Sequence, residues 1–213
     1  MQITNIILVL VVLTNLKLLG SSRLGASIRV VAMQGVVLGL LPILAHTHEL
    51  SWRFAALAAG SIALKGVVFP WFLSRAMREA RVTREVEPYI GYVTSLLAGV
   101  VMLGVSFWLC TRLPIPETIA SAWLAPVALF SIFAGLFLIV SRKRAVNQVL
   151  GFLVLENGVY TFGVGLAPQT SSLVEAGVLL DVFVGVFVMG IAIFHINREF
   201  DHIETDRLST LKD

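Results

Sequence analysis

Seven apolar runs constrain this chain more than any other feature of its sequence. They cover approximately residues 3–19, 27–45, 53–74, 89–110, 118–140, 145–166 and 173–196. A helix needs about 20 apolar residues to cross roughly 30 Å of hydrocarbon. Because every backbone N–H and C=O must be satisfied within its own segment in lipid, helices are the structure open to such runs. The pattern therefore predicts an all-α polytopic membrane protein with seven transmembrane helices.

Composition supports this class and excludes others. The chain has 213 residues, of which 57% are hydrophobic and 14% charged, whereas soluble domains carry about a quarter charged residues. The basic residues are divided among short connections and form no patch that could follow a phosphate backbone, so no nucleic-acid partner is expected. With Cys110 as its single cysteine, the chain cannot form a disulfide, an iron–sulfur ligand set or a thiolate zinc site by itself.

The distribution of basic residues predicts the orientation. If the N-terminus lies outside, thirteen Lys and Arg residues fall in the inner segments and two, Arg53 and Arg112, fall in the outer ones. The positive-inside rule then places the N-terminus outside and the C-terminus in the cytoplasm. The first run has no basic residues before it and no small-x-small cleavage site after it, which predicts a retained helix and not a signal peptide. Pro70 and Pro126 fall inside the third and fifth runs and predict a kink in each helix.

Three ionisable residues lie deep inside apolar runs, where charge is unfavourable. Lys65, Glu156 and Asp181 all fall in the middle third of their predicted helices, where a charge costs about 2.5–3.5 kcal/mol or more. Low dielectric disfavours the charged form of both a carboxyl and an amine, so such groups can exchange protons. We therefore predict a proton pathway through these three residues. The alternative is structural: either acid hydrogen-bonds another helix, or forms a static salt bridge with Lys65.

Five further residues are possible accessories to such a pathway. Gln34 lies inside the second run and is either a site residue or a hydrogen-bonding contact between helices. Tyr160 follows Glu156 by one helical turn. His46 and His48 lie at the outer mouth between helices two and three, as interfacial residues or as a proton exit, and Glu175 lies at the outer end of helix seven.

The last three runs resemble a known family. The stretch SRKRAVNQVLGFLVLENGVY, followed by EAGVLLDVFVGV, is similar to the K-type subunit of respiratory complex I and to the C-type subunit of multisubunit cation/proton antiporters. The resemblance implies that Glu156 and Asp181 match the two membrane acids of the complex I proton path, with Asp181 one methylene shorter than the Glu of complex I. It divides the chain into a four-helix part (1–110), a three-helix part (111–196) and a short cytoplasmic tail (197–213).

A longer resemblance covers nearly the whole chain. The stretches SSRLGASIRVVAMQG, LKGVVFP, FLVLENG, SLVEAGVLLD and DRLSTLKD are similar to the hydrogenase-4 component E family of formate hydrogenlyase and related membrane-bound hydrogenases. This implies a prokaryotic cytoplasmic (inner) membrane location. The implied partners are antiporter-like and H-like membrane subunits and peripheral iron–sulfur and hydrogenase subunits. The resemblance implies no cofactor in this chain, with iron–sulfur clusters and a nickel–iron centre in the partners.

Three functional hypotheses remain open from the sequence. The chain is a non-catalytic subunit contributing to proton translocation in a complex I-like hydrogenase, or in a similar membrane arm with a different peripheral oxidoreductase. Alternatively, it is a purely structural scaffold of that arm. The third hypothesis is a self-contained secondary transporter, for which paired repeats would be expected, but helices 1–3 and 5–7 show no convincing repeat.

Overall fold

The computed structural model describes residues 2–40, 59–60, 62–79, 88–113 and 121–166, and the regular elements in these ranges are helices. They are α1 (Gln2–Leu19), α2 (Leu24–Gly39), α3 (Phe69–Glu79), α4 (Tyr92–Cys110), α5 (Leu124–Ser141) and α6 (Ala145–Leu166). A π-helical turn, Leu64–Val68, runs directly into α3. Each of the first six apolar runs thus contains a helix, and the prediction of an all-α chain is confirmed for the described residues. The seventh run, 173–196, lies outside them.

Two of the described helices are long and apolar enough to cross a membrane by length and composition, namely α4 and α5. The apolar stretches in α1 and α2, Ile3–Leu19 and Leu24–Gly39, are shorter. The number of spans and the orientation therefore stay predictions.

One of the two prolines, Pro126, occupies a position that differs from the one expected, whereas Pro70 lies within a continuous helical segment as predicted. α5 begins at Leu124, so Pro126 lies in its first turn, where the missing N–H would have no helical acceptor. The expected mid-helix kink has no basis there. Pro70 is the second residue of α3, and the irregularity before it takes the form of the π-helical turn.

The tightest packing is between α5 and α6, which cross at glycines. A Cβ atom at Gly158 would lie 2.7 Å from the backbone nitrogen of Ile132, and one at Gly151 would lie 2.9 Å from the carbonyl oxygen of Gly135. Real Cβ atoms do not approach this closely, so glycine is required for the two backbones to meet. This contact fixes the rotation of α6 and therefore the direction in which its polar residues project.

The first two helices and the π turn pack against this pair around the larger of two hydrophobic clusters among the described residues. Its buried members include Leu19, Ile28, Phe69, Phe130 and Leu150. The core thus draws residues from both sides of the boundary proposed at residue 110.

A buried arginine ties the connection between α5 and α6 to two other helices. Arg142 is 1% exposed, and its Nη2 donates a hydrogen bond to the carbonyl oxygen of Leu19, the last residue of α1. Its guanidinium lies over the Tyr92 ring of α4, 4.6 Å from the centroid. Because the last carbonyls of a helix lack intrahelical donors, the guanidinium satisfies one of them and places a positive charge at the C-terminal end of α1. The hydrogen bond from Arg142 thereby holds the end of α1 in place, together with Asn15 one turn before it.

The exposed surface of α4 is apolar, whereas two of its buried residues, Ser95 and Ser106, are polar. Its exposed side chains include Val93, Leu97, Val101 and Trp108, and Val93 is 75% exposed. Soluble monomers rarely expose large contiguous apolar surface. Together with the two candidate membrane-spanning helices, this surface suggests a membrane location.

Candidate functional site

The site is built on an ion pair between Lys65 and Glu156. Nζ of Lys65 lies 2.9 Å from Oε1 of Glu156, and the two side chains are 5% and 2% exposed. Lys65 is the second residue of the π turn, and Glu156 lies in the middle of α6. The structure therefore brings together two of the three residues predicted for the proton pathway. Asp181 lies outside the described residues.

Glycines allow the π turn to approach α2 closely enough to place Lys65. A Cβ atom at Gly35 would lie 2.6 Å from Cβ of Lys65, and one at Gly66 would lie 2.5 Å from Cγ2 of Val36. The two segments thus meet with a glycine on each side of the contact. π-Helical turns occur frequently at functional sites, since the extra residue redirects the side chains around it.

Two further residues of α6 contact the Lys65 ammonium. Asn157 accepts a hydrogen bond from Nζ at Oδ1, with a distance of 3.3 Å. The Tyr160 ring lies with its centroid 4.9 Å from Nζ, within the range of a cation–π interaction. The ammonium is therefore surrounded by a carboxylate, an amide oxygen and an aromatic ring from a single helix.

A chain of hydrogen bonds extends from Asn157 across α2 and α1 to α5. Nδ2 of Asn157 donates to Oε1 of Gln34 (3.3 Å), and Nε2 of Gln34 donates to Oδ1 of Asn15 (2.8 Å). Nδ2 of Asn15 in turn donates to Oγ of Ser131 (2.8 Å). All four side chains are buried. Gln34 Nε2 also lies 3.4 Å from the hydroxyl oxygen of Thr14.

The Glu156 carboxylate is incompletely satisfied. Apart from the ion pair, neither of its oxygens has a hydrogen-bond partner among the described residues. Buried carboxylates normally accept several hydrogen bonds, because an unsatisfied buried charge is expensive. Oε2 therefore carries lone pairs that no described donor uses. Glu156 is also the one acidic residue whose side chain the structure describes.

This arrangement is suited to holding and exchanging a proton, since it pairs a buried acid with a buried base. Within the described ranges, no group of three or more His, Cys, Asp or Glu residues lies close enough together to hold a metal ion. The chemistry that the Lys65–Glu156 pair supports is the binding and release of a proton at the carboxylate.

Two of the five accessory candidates lie at the site in the described part of the chain. Gln34 and Tyr160 both belong to the site, whereas Glu175, His46 and His48 lie outside the described residues. Asn15 and Ser131 were not predicted. The available signal was the same as for Gln34, a polar side chain inside an apolar run, as in LTNL and LFSIF.

Comparisons with known proteins find relatives of two kinds. The chain is 30% identical over 203 residues to the uncharacterized protein Rv0085 of Mycobacterium tuberculosis, which covers 95% of this chain and 92% of that protein. It is also 30% identical over 119 residues to hydrogenase-4 component E of Escherichia coli K12, and equally to that of Shigella flexneri. This second match covers 55% of this chain, which spans about half (54%) of the hydrogenase-4 component.

No protein-family model matches the chain, and no solved structure is significantly similar to it. The partial match to hydrogenase-4 component E suggests a relationship to that subunit. The match to Rv0085 covers nearly all of both proteins, and the chain therefore belongs to the family of Rv0085.

Proposed function

We propose that this chain is an integral membrane subunit of a multisubunit, complex I-like hydrogenase, in which Lys65 and Glu156 form part of a proton path coupled to electron transfer. Asp181 is the third proposed member of the path. The partial similarity to hydrogenase-4 component E supports the assembly. The observation that carries the proton path is the buried ion pair whose carboxylate has unused hydrogen-bonding capacity.

That unused capacity argues against a static salt bridge. A buried ion pair stabilises a fold only where its geometry is good and further hydrogen bonds satisfy the remaining lone pairs. Glu156 has one cation and no described hydrogen-bond donor. An acid built only to hold two helices together would be better satisfied, whereas a proton carrier needs a lone pair within reach of the incoming proton.

The pair has a simple proton cycle. A proton arriving at Glu156 neutralises the carboxylate and removes its attraction for Lys65, whose ammonium retains Asn157 and the Tyr160 ring. When the proton leaves, the carboxylate pairs with the ammonium again. A change of charge elsewhere in the assembly would bias this cycle, because charges interact strongly at low dielectric.

The chain is non-catalytic in this proposal. Its partners are antiporter-like and H-like membrane subunits together with peripheral iron–sulfur and hydrogenase subunits. The iron–sulfur clusters and the nickel–iron centre lie in those partners. The proposed location is the prokaryotic cytoplasmic membrane, crossed several times. Mass spectrometry of proteins that co-purify with the tagged chain in mild detergent tests the assembly: recovery of hydrogenase subunits is expected, and recovery of a different peripheral oxidoreductase would replace the hydrogenase assignment.

Replacement of Glu156 tests the proton path in membrane vesicles that contain the assembled complex. Glu156→Gln keeps an uncharged acceptor oxygen for Lys65, so enough complex should assemble to be measured. It should lose most proton translocation per turnover, while Glu156→Asp should retain part of it. Ser106→Ala is the control, because this buried hydroxyl donates to its own helix in α4, away from the pair. Full translocation by the Gln variant would exclude Glu156 from the path.

A structural scaffold is the second candidate, and the hydrogen-bond chain between α1, α2, α5 and α6 favours it. If the polar residues serve only to join helices, Glu156→Gln should reduce the amount of assembled complex and leave translocation per complex unchanged. The two measurements on one variant therefore separate the candidates.

A further inference from the structure

We propose that Gln34 is a positioning residue for the Lys65–Glu156 pair, acting through Asn157 to present a hydrogen-bond acceptor to the Lys65 ammonium. This inference rests on the proposed function. It concerns a residue that contacts neither Lys65 nor Glu156 through any described hydrogen bond, and whose side chain is 2% exposed.

The hydrogen bonds of the buried chain all run in one direction. Lys65 donates to Asn157, Asn157 to Gln34, Gln34 to Asn15, and Asn15 to Ser131. At each amide, the oxygen faces the lysine side of the chain and the NH2 group faces away from it. The direction of donation, which is the polarity of this hydrogen-bond chain, is therefore shared by all the hydrogen bonds from Lys65 to Ser131 and is not a property of one contact.

A backbone carbonyl sets this polarity at the far end. The Ser131 hydroxyl donates to the carbonyl oxygen of Val127 (2.9 Å), four residues earlier in α5. Since a carbonyl can only accept, the hydroxyl proton is committed there and the hydroxyl oxygen is left to accept from Asn15. The order of donors then propagates from α5 through α1 and α2 to α6.

The polarity determines what Asn157 offers to Lys65. An asparagine amide carries an acceptor on one side and two donors on the other. Because Gln34 Oε1 takes the Nδ2 donor, Oδ1 faces the ammonium. An ammonium is a donor only, so a reversed amide would face it with N–H groups and repel it.

The consequence is that Lys65 keeps an acceptor in both halves of the proton cycle. When Glu156 is neutral, Asn157 Oδ1 still holds the ammonium near the carboxyl, ready to pair again. Without Gln34, Asn157 loses its only described side-chain acceptor and can rotate. Hydrogen bonds to charged groups are stronger than hydrogen bonds between neutral groups. The position of Lys65 should therefore depend measurably on Gln34, which holds Asn157 in place.

Two replacements of Gln34 test the inference in vesicles that contain the whole complex. Gln34→Met has a similar length and no strong hydrogen-bonding group. Gln34→Glu, when its introduced carboxyl is protonated, has a carbonyl acceptor for Asn157 and an O–H donor for Asn15. We expect Gln34→Met to lower proton translocation per turnover by about tenfold and Gln34→Glu to restore it to within about threefold of the original. The rescue should fade as the pH rises, because an ionised carboxylate cannot donate to Asn15.

Several results would overturn the inference. One is unchanged translocation in Gln34→Met, another is equal loss in both variants. A loss confined to the amount of assembled complex would also overturn it, since that is what a mere contact between helices predicts. Ser131→Ala is a milder second variant that removes the group anchoring the polarity. It should lower translocation by a smaller factor. Unchanged translocation in Ser131→Ala would contradict the role of the hydrogen-bond chain.

The Glu156→Gln variant distinguishes failure of this inference from failure of the proposed function. Loss of translocation in Glu156→Gln without loss in the Gln34 variants would remove only the positioning role. Full translocation in Glu156→Gln would remove the proton path itself.

Discussion

Lys65 and Asn157, 92 residues apart in the chain, are joined by a hydrogen bond of 3.3 Å, while the same ammonium pairs with the preceding residue, Glu156. Neighbouring residues of a helix point about 100° apart. Lys65 can contact both only because the π turn delivers its side chain to the face of α6 that lies between them. The contact is thus a property of two elements and of the angle at which they meet.

The ion pair should behave as a coupled unit in stability. Removing one partner of a buried pair costs about 3–5 kcal/mol, because it leaves an uncompensated charge. We expect Lys65→Met alone to destabilise the purified protein by this order, and the double variant Lys65→Met/Glu156→Leu to be less destabilised than Lys65→Met. Thermal denaturation in detergent measures both.

The matched control for that experiment is Lys143→Met, at an exposed position of the connection between α5 and α6. It should change the denaturation midpoint little, because exposed ion contacts contribute little. Strictly additive effects of the Lys65 and Glu156 replacements would show that the two side chains do not interact in the folded protein.

Gly35 should be intolerant of a methyl group. Its Cβ would lie 2.6 Å from Cβ of Lys65, so Gly35→Ala must push the π turn away from α2 and weaken the Lys65–Glu156 pair. We expect lower thermal stability and lower proton translocation. Gly104→Ala in α4 is the control, since nothing lies within 4 Å of a Cβ there, and helix propensity alone favours alanine by about 1 kcal/mol. Equal tolerance of both substitutions would contradict the close approach of the π turn.

The orientation can be tested with single cysteines in the connections before and after α5. In a Cys110→Ser background, Thr111→Cys and Lys143→Cys both place a thiol at an exposed position. If the positive-inside assignment is correct, a membrane-impermeant maleimide should label the first in right-side-out vesicles. It should label the second only after the vesicles are opened. The reverse pattern would invert the topology, and equal labelling would place both ends on one side.

The sequence was informative where the physical signal is local. Apolar runs of sufficient length indicated where helices form, and six of the seven runs contain a described helix. Glu156, Lys65 and Gln34 stood out because an ionisable or amide side chain inside such a run is expensive unless it has a partner. The start of α5 at Leu124 could not be predicted from the sequence pattern, because the apolar run begins earlier than the helix.

Asn15 and Ser131 show why the rest of the site could not be predicted from the pattern. Each is a small polar residue in a largely apolar helix, and their mutual hydrogen bond joins positions 116 residues apart. Nothing in the spacing within either helix indicates the other as its partner. Their assignment required the packing of α1 against α5.

By itself, therefore, the sequence determined the helical class and the identity of the costly buried groups, because burial of apolar runs and the penalty for buried charge act on each segment separately. The tertiary structure decided that Lys65 contacts Glu156 and Asn157. It also decided that the hydrogen bonds linking Asn157 to Ser131 all donate in one direction, away from Lys65. The physical reason is that helix rotation and neighbourhood are fixed by close approaches such as those at Gly35 and Gly158. These join residues distant in the chain and leave no periodic trace along it.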